Sequence, residues 1–285
     1  MKYLLLIFLF PYFSCITNQH DDIVDNREEN VLKDTILPEN SSEDIIIPEY
    51  ESDFPLEDES RFINADYYSI NIPSEGNYKN LKTKILEKRE NYRQKYVAAT
   101  NEAEKNKIIK LSGEYVTETI VNHIIPFWYG MPWSLSGYSD IPNVGEVGCS
   151  YFVSNTLKHC GFKVNRYRLA QQNTKNIAFS IQLNDSILII KGNGDISSVK
   201  NYFLENKKDG LYYVGLDSHV GYLLFKKGEL FFIQSNYAYP QVVLTEFAEK
   251  SDVFYSNFYY IADITWNDAL IKNWIMSTEI QVVKK

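Results

Sequence analysis

Ser218-His219-Val220-Gly221-Tyr222-Leu223-Leu224-Phe225-Lys226-Lys227-Gly228-Glu229-Leu230-Phe231-Phe232-Ile233-Gln234-Ser235-Asn236 reads as two β-strands around a tight turn. Val220 to Phe225 and Glu229 to Gln234 are rich in β-branched and aromatic residues, and Lys226-Lys227-Gly228 is the hairpin. Gly210 to Val214 reads as a strand before this pair, and Phe258 to Ile264 as one after it. Upstream the period changes. Leu81, Ile85, Tyr92 and Tyr96 form a helical stripe, and a second helix is expected from Glu102 to Ile124, ended by Pro126. A third runs from about Cys149 to Cys160, with Gly161 as its C-cap. Helices over Leu169 to Leu183 and Ile196 to Glu205, and a short strand at Ile187 to Ile190, complete the middle. Leu270, Trp274 and Ile275 suit a last helix that packs back or meets a partner. Helices first and an antiparallel sheet afterwards is an α+β layout.

A chemical constellation lies across these elements. Cys149 follows the Gly-containing loop with Gly145 and Gly148 and opens a helix whose apolar face is Phe152, Val153 and Leu157. A helix N-terminus has unpaired N–H groups and a positive dipole end. Both stabilise a thiolate, and the N–H groups can hold an oxyanion. A thiol nucleophile needs a base, and the chain has four histidines. His20 is far upstream. His159 is ten residues along the helix from Cys149, about 15 Å away. His123, just before the loop, is a candidate. His219 is best placed, at the start of a Gly-bounded strand. Its orienting partner would come from the neighbouring strand: Gln234, whose amide oxygen can accept from the ring, or Asn236 on the same face in reserve. Cys160 reads as a buried apolar residue, and no Cys/His spacing suits zinc.

The N-terminus reads as an address. Lys2, an apolar run from Tyr3 to Phe13, and Ser14-Cys15 make a signal peptide over residues 1–15. The run is shorter than the roughly 20 apolar residues of a membrane span. Cys15 after a small residue resembles the lipidation site of bacterial lipoproteins, so an extracytoplasmic, membrane-anchored or secreted protein is expected. Residues 16–60 hold 15 Asp/Glu against Arg27 and Lys33, punctuated by Pro38, Pro48 and Pro55. Such a sequence is an acidic, extended tether, although Ile45-Ile46-Ile47 could dock as an edge strand. The formal charge of −8 is therefore mostly the tether's −13; residues 61–285 carry +4. With this balance and a pI near 5.2, no nucleic-acid partner is expected. Three cysteines exclude a disulfide scaffold.

Gly130-Met131-Pro132-Trp133, Cys149-Ser150-Tyr151-Phe152-Val153, His219-Val220-Gly221 and Phe232-Ile233-Gln234-Ser235 together resemble the NlpC-type cell-wall cysteine peptidases. The resemblance covers residues 125 to 240. It implies a papain-like core, with a helix-borne Cys packed on a small antiparallel sheet. A helical extension over 61–124 would precede an amidase domain over 125–285. It further implies Cys149, His219 and Gln234 as catalytic residues, and Trp133, Ser150 and Asn236 beside the substrate. The expected activity is a cysteine amidase or endopeptidase on peptidoglycan peptides, working as a monomer without metal or organic cofactor. Two departures stand out. The family usually places Asp before the Cys, where this chain has Gly148, and an added segment from Gly192 to Val220 precedes the His. An inactivated papain-like lipoprotein that binds peptide or glycan, or a cysteine acyl transferase or deamidase, would use the same residues.

Overall fold

The computed structural model describes residues 78–284 except 184–185 and 193–195, all within the unit Ile47–Lys285. The expected signal peptide with Cys15, the acidic tether and residues 61–77 lie outside the described residues.

Among the described residues the fold is α+β. One antiparallel sheet has the order β1-β6-β2-β3-β4-β5. Its strands are β1 (Leu188–Lys191), β2 (Gly210–Gly215), β3 (Val220–Lys226), β4 (Glu229–Ser235), β5 (Val243–Phe247) and β6 (Phe258–Asp263). The helices are α1 (Tyr78–Ala98), α2 (Glu102–Glu118), α3 (Cys149–His159), α4 (Arg166–Ala170), α5 (Thr174–Gln182), α6 (Ser197–Asn206) and α7 (Asp268–Met276). None of the described helices is long and apolar enough to cross a membrane.

The β3–β4 hairpin sets the register that matters for the site. Lys227 and Gly228 both have positive φ, 53° and 83°, as a two-residue turn with the twist of its flanking strands requires. That turn pairs Lys226 with Glu229 and Tyr222 with Ile233. β2 and β3 are buried on both faces, which explains their continuous apolar runs. On one face Tyr213, Tyr222, Leu224, Phe231 and Ile233 meet Phe152, Val153 and Leu157 of α3. On the other, Phe203 of α6 stands edge-on to Tyr212 and Phe225, with ring centroids 4.9 and 5.6 Å apart. Phe254 closes this second layer against Phe232 at 4.8 Å.

Several elements differ from the sequence reading. α2 stops at Glu118, and residues Thr119–Ile124 form a π-helical turn, with Ile125 N–H donating to the Ile120 carbonyl. Pro126 does not end the helical path. It sits in the first turn of a 3₁₀ helix, Ile125–Trp128, where its missing N–H is no loss. The helix expected over Leu169 to Leu183 is two, because Asn173 caps α5 by accepting from the Asn176 N–H. β5 has no counterpart in the sequence reading. α7 packs back, burying Leu270, Ile271, Trp274 and Ile275, and Trp274 Nε1 donates to the Cys160 carbonyl at 2.7 Å. α1 and α2 bring Ile85, Ile109 and Val116 into the same core as Phe152 and Tyr222, so residue 124 does not separate two cores.

Candidate active site

The start of α3 is held on every side. Gly148 is its N-cap, and Phe152 N–H donates to the Gly148 carbonyl as the first helical bond. The preceding loop is tied down at several points. Gly148 N–H donates to the Gly137 carbonyl, Val147 N–H to that of Pro132, and Trp133 N–H to that of Gln241, at 2.8, 3.0 and 2.8 Å. Ser235 Oγ donates to the Val147 carbonyl at 2.7 Å, anchoring the loop to the end of β4. Buried Arg166 donates to the Tyr138 carbonyl and to Asn155 Oδ1, and Asn155 Nδ2 donates to the Ser139 carbonyl. Tyr222 pins α3 to β3, since its hydroxyl donates to the Val153 carbonyl and lies 2.7 Å from Thr156 Oγ1. Cys149 is half-buried at the head of this fixed helix and packs against the core.

Gly148 is where the resemblance would place Asp. A Cβ there would stand 3.1 and 3.2 Å from the Ser134 and Gly137 carbonyl oxygens. The folded-back loop crowds the space an acidic side chain would need.

His219 immediately precedes β3, with only 2% of its surface exposed. Its Nε2 lies 2.5 Å from Gln234 Oε1. Gln234 Nε2 in turn donates to Glu246 Oε1 at 2.6 Å. Gln234 lies opposite Leu244 and Phe232 opposite Glu246, so the three residues run diagonally across β3, β4 and β5. With its N–H₂ on Glu246 and its oxygen toward the ring, Gln234 is matched by an imidazole that donates from Nε2. Nδ1 is then the proton-accepting nitrogen, and it is buried without a hydrogen-bond partner among the described residues. Burial pushes the His219 pKa down to about 4, against a smaller opposing effect of Gln234, so the ring is neutral near pH 7. Phe232 and Tyr237 stand edge-on to it, with centroids at 5.8 and 5.0 Å, and exclude water from the His219–Gln234 bond.

α3 covers the Tyr222 and Ile233 face of the hairpin, whereas Gln234 shares the Phe232 face by strand alternation. The start of α3 is tied to the end of β4 by the Ser235–Val147 bond, and Tyr237 stands beyond that end, within electrostatic reach of Cys149. The Tyr237 ring is against His219. Burial first, and then the charge of Cys149, push its phenol above the ordinary value. The Tyr213 phenol, buried beneath α3, is raised by the same two causes.

The remaining expected residues divide clearly. Trp133 is half-buried, 6.1 Å from Tyr237 between ring centroids, and continues the aromatic wall from His219. Ser150 is half-buried in the first turn of α3. Asn236 is committed to its own turn: Oδ1 accepts from the Ala238 N–H at 3.0 Å, and Nδ2 donates to the Tyr239 carbonyl at 3.4 Å. The position beside His219 is taken by Gln234. His159 is buried and bonded to Tyr78 at the far end of α3. His123 lies in the π-helical turn. Cys160 is fully buried, and burial pushes its thiol pKa well up. Sequence reasoning missed Tyr237 and Glu246. Glu246 had a signal: it is the lone acid in the run Val242-Val243-Leu244-Thr245-Glu246-Phe247.

No family model matches the chain, and neither a curated protein nor a solved structure shows a match to it.

Proposed function

We propose that the chain is a papain-like cysteine amidase or endopeptidase of the NlpC type, acting on cell-wall peptides. Cys149 attacks the amide carbonyl as a thiolate. His219 takes the thiol proton on Nδ1 and returns it to the leaving amine. Gln234 holds the ring, and water then hydrolyses the acyl-enzyme. The first N–H groups of α3, which have no partner within the helix, would hold the oxyanion. The observation that carries this reading is the Glu246–Gln234–His219 chain. It leaves a neutral imidazole with a buried, unpartnered acceptor at the sheet end where α3 begins with a cysteine. The Cys15 signal reading would place the enzyme outside the cytoplasm on a lipid anchor, with the acidic stretch as its tether. Gly148 lacks the acidic group that would grip a free amine, so a stem peptide would be held by the Trp133–Tyr237 wall instead.

The test is incubation of purified muropeptides with the wild-type protein and with Cys149→Ala, read by mass spectrometry. Release of D-Glu or diaminopimelate fragments by the wild type alone supports the proposal. Unchanged muropeptides that nevertheless bind would favour the second reading, an inactivated papain-like binding protein. The 2% exposure of His219 favours that reading.

A further inference from the structure

We infer that Glu246 is a positioning residue that sets the tautomer of His219 through the amide of Gln234. The inference rests on the proposed catalytic pair and adds a fourth member to it.

Glutamine alone cannot specify which imidazole nitrogen is the base. Its side chain carries an oxygen that accepts and an N–H₂ that donates, and a half-turn about the last bond exchanges them. With its oxygen toward the ring, Gln234 requires a protonated Nε2 and leaves Nδ1 as acceptor. With its N–H₂ toward the ring, it requires a bare Nε2 and puts the proton on Nδ1, where it blocks proton transfer from a thiol. Something beyond Gln234 must choose. Glu246 Oε1 is 2.6 Å from Gln234 Nε2 and accepts its hydrogen bond. With Oε1 of Glu246 accepting, the flipped amide would set its own oxygen against that carboxyl oxygen. The choice is made in a dry setting: Gln234 is fully buried and Glu246 is 2% exposed. There a mismatched pair is not rescued by water.

The location of Glu246 is itself informative. β5 is the last strand of the sheet on that side, and Val243, Leu244 and Thr245 beside it are buried. A carboxyl group on such a strand is costly to bury unless its hydrogen bonds are used. One of its partners is the residue that holds the proposed base.

The test is nitrogen-15 NMR of the imidazole rings in the full chain, with His219 assigned by the signal that is lost in His219→Gln. In the wild type near pH 7, His219 should carry its proton on Nε2, with Nδ1 bare. In Glu246→Gln, a second amide can donate as well as accept. Both orientations of Gln234 then become available, and the Nε2–H population should fall to about half. Where turnover is present, kcat should fall in the same proportion with KM unchanged. A wild-type His219 protonated on Nδ1 overturns the inference without any variant. An unchanged tautomer ratio in folded Glu246→Gln overturns it as well, and Glu246→Leu gives the same readout should the first variant fail to fold. The tautomer is read without substrate. A shifted tautomer in a protein that cleaves nothing would therefore sink the amidase reading and keep this one, and an unshifted tautomer in an active enzyme would do the reverse.

Discussion

Nε2 of His219 lies 2.5 Å from Oε1 of Gln234, joining the residue just before β3 to the residue that ends the apolar run of β4. The bond is diagonal across the hairpin, and Lys227-Gly228 sets it, because a one-residue slip of that turn would carry Gln234 to the α3 face. Gln234→Ala removes the acceptor and leaves a buried N–H unmatched. We expect a loss of about 1–3 kcal/mol in stability, together with a fall in any turnover, checked by denaturant titration and peptide cleavage. Gln234→Glu keeps an acceptor for the ring but sets a second carboxyl group against Glu246, so it should not recover the stability.

Stability should depend on pH through two buried histidines. Unfolded histidine titrates near 6.5. Burial holds His219 at about 4 and His159 at about 3 in the folded chain. Between those values the unfolded state binds more protons, so stability rises with pH there. Acidification below about 6.5 should lower the melting temperature progressively, levelling only below about pH 3. His159→Gln should flatten this slope, as followed by thermal melts across an acid series.

The cysteines should differ in reactivity. Cys149 is half-buried at a helix start, while Cys160 is sealed under α7 with its thiol pKa raised by burial. Brief treatment with iodoacetamide and peptide mapping should find Cys149 modified and Cys160 protected until the protein is denatured. Prompt labelling of Cys160 in the folded protein would contradict the packing described above.

Gly148→Asp installs the acid that the resemblance leads one to expect. Its Cβ meets two carbonyl oxygens at 3.1 and 3.2 Å, so the loop at Ser134 to Gly137 must shift. We expect a cost of about 1–3 kcal/mol, measured as a lowered unfolding midpoint. No loss would mean the loop yields freely, and the account of this departure would fail.

The sequence showed the hairpin because its turn and apolar runs are local signals, and α3 because Gly148 and Gly161 bracket it. Gln234 was legible for the same reason, as a polar residue closing an apolar strand. Glu246 stood out only as a lone acid in an apolar run, and its role was hidden because β5 is short and its pairing is fixed only by the register with β4. The break at Asn173 was hidden because apolar spacing continues across it, while a cap acts through one side-chain bond. The two-sided burial of β2 and β3 was written in their unbroken apolar runs but depends on α6, just upstream of β2, and on Phe254, which follows β5. That burial decides the site. It puts the histidine on the face away from α3, so a thiol at the start of α3 can reach it only round the end of the sheet.

The central claim is that His219 acts on the thiol of Cys149. The rate of Cys149 alkylation across neutral pH, in the wild type and in His219→Gln, measures it directly. The account expects the wild type to react about tenfold faster near pH 7, with the difference vanishing at alkaline pH, where the thiol ionises without help. Equal rates at every pH, in two proteins with the same melting behaviour, would contradict it.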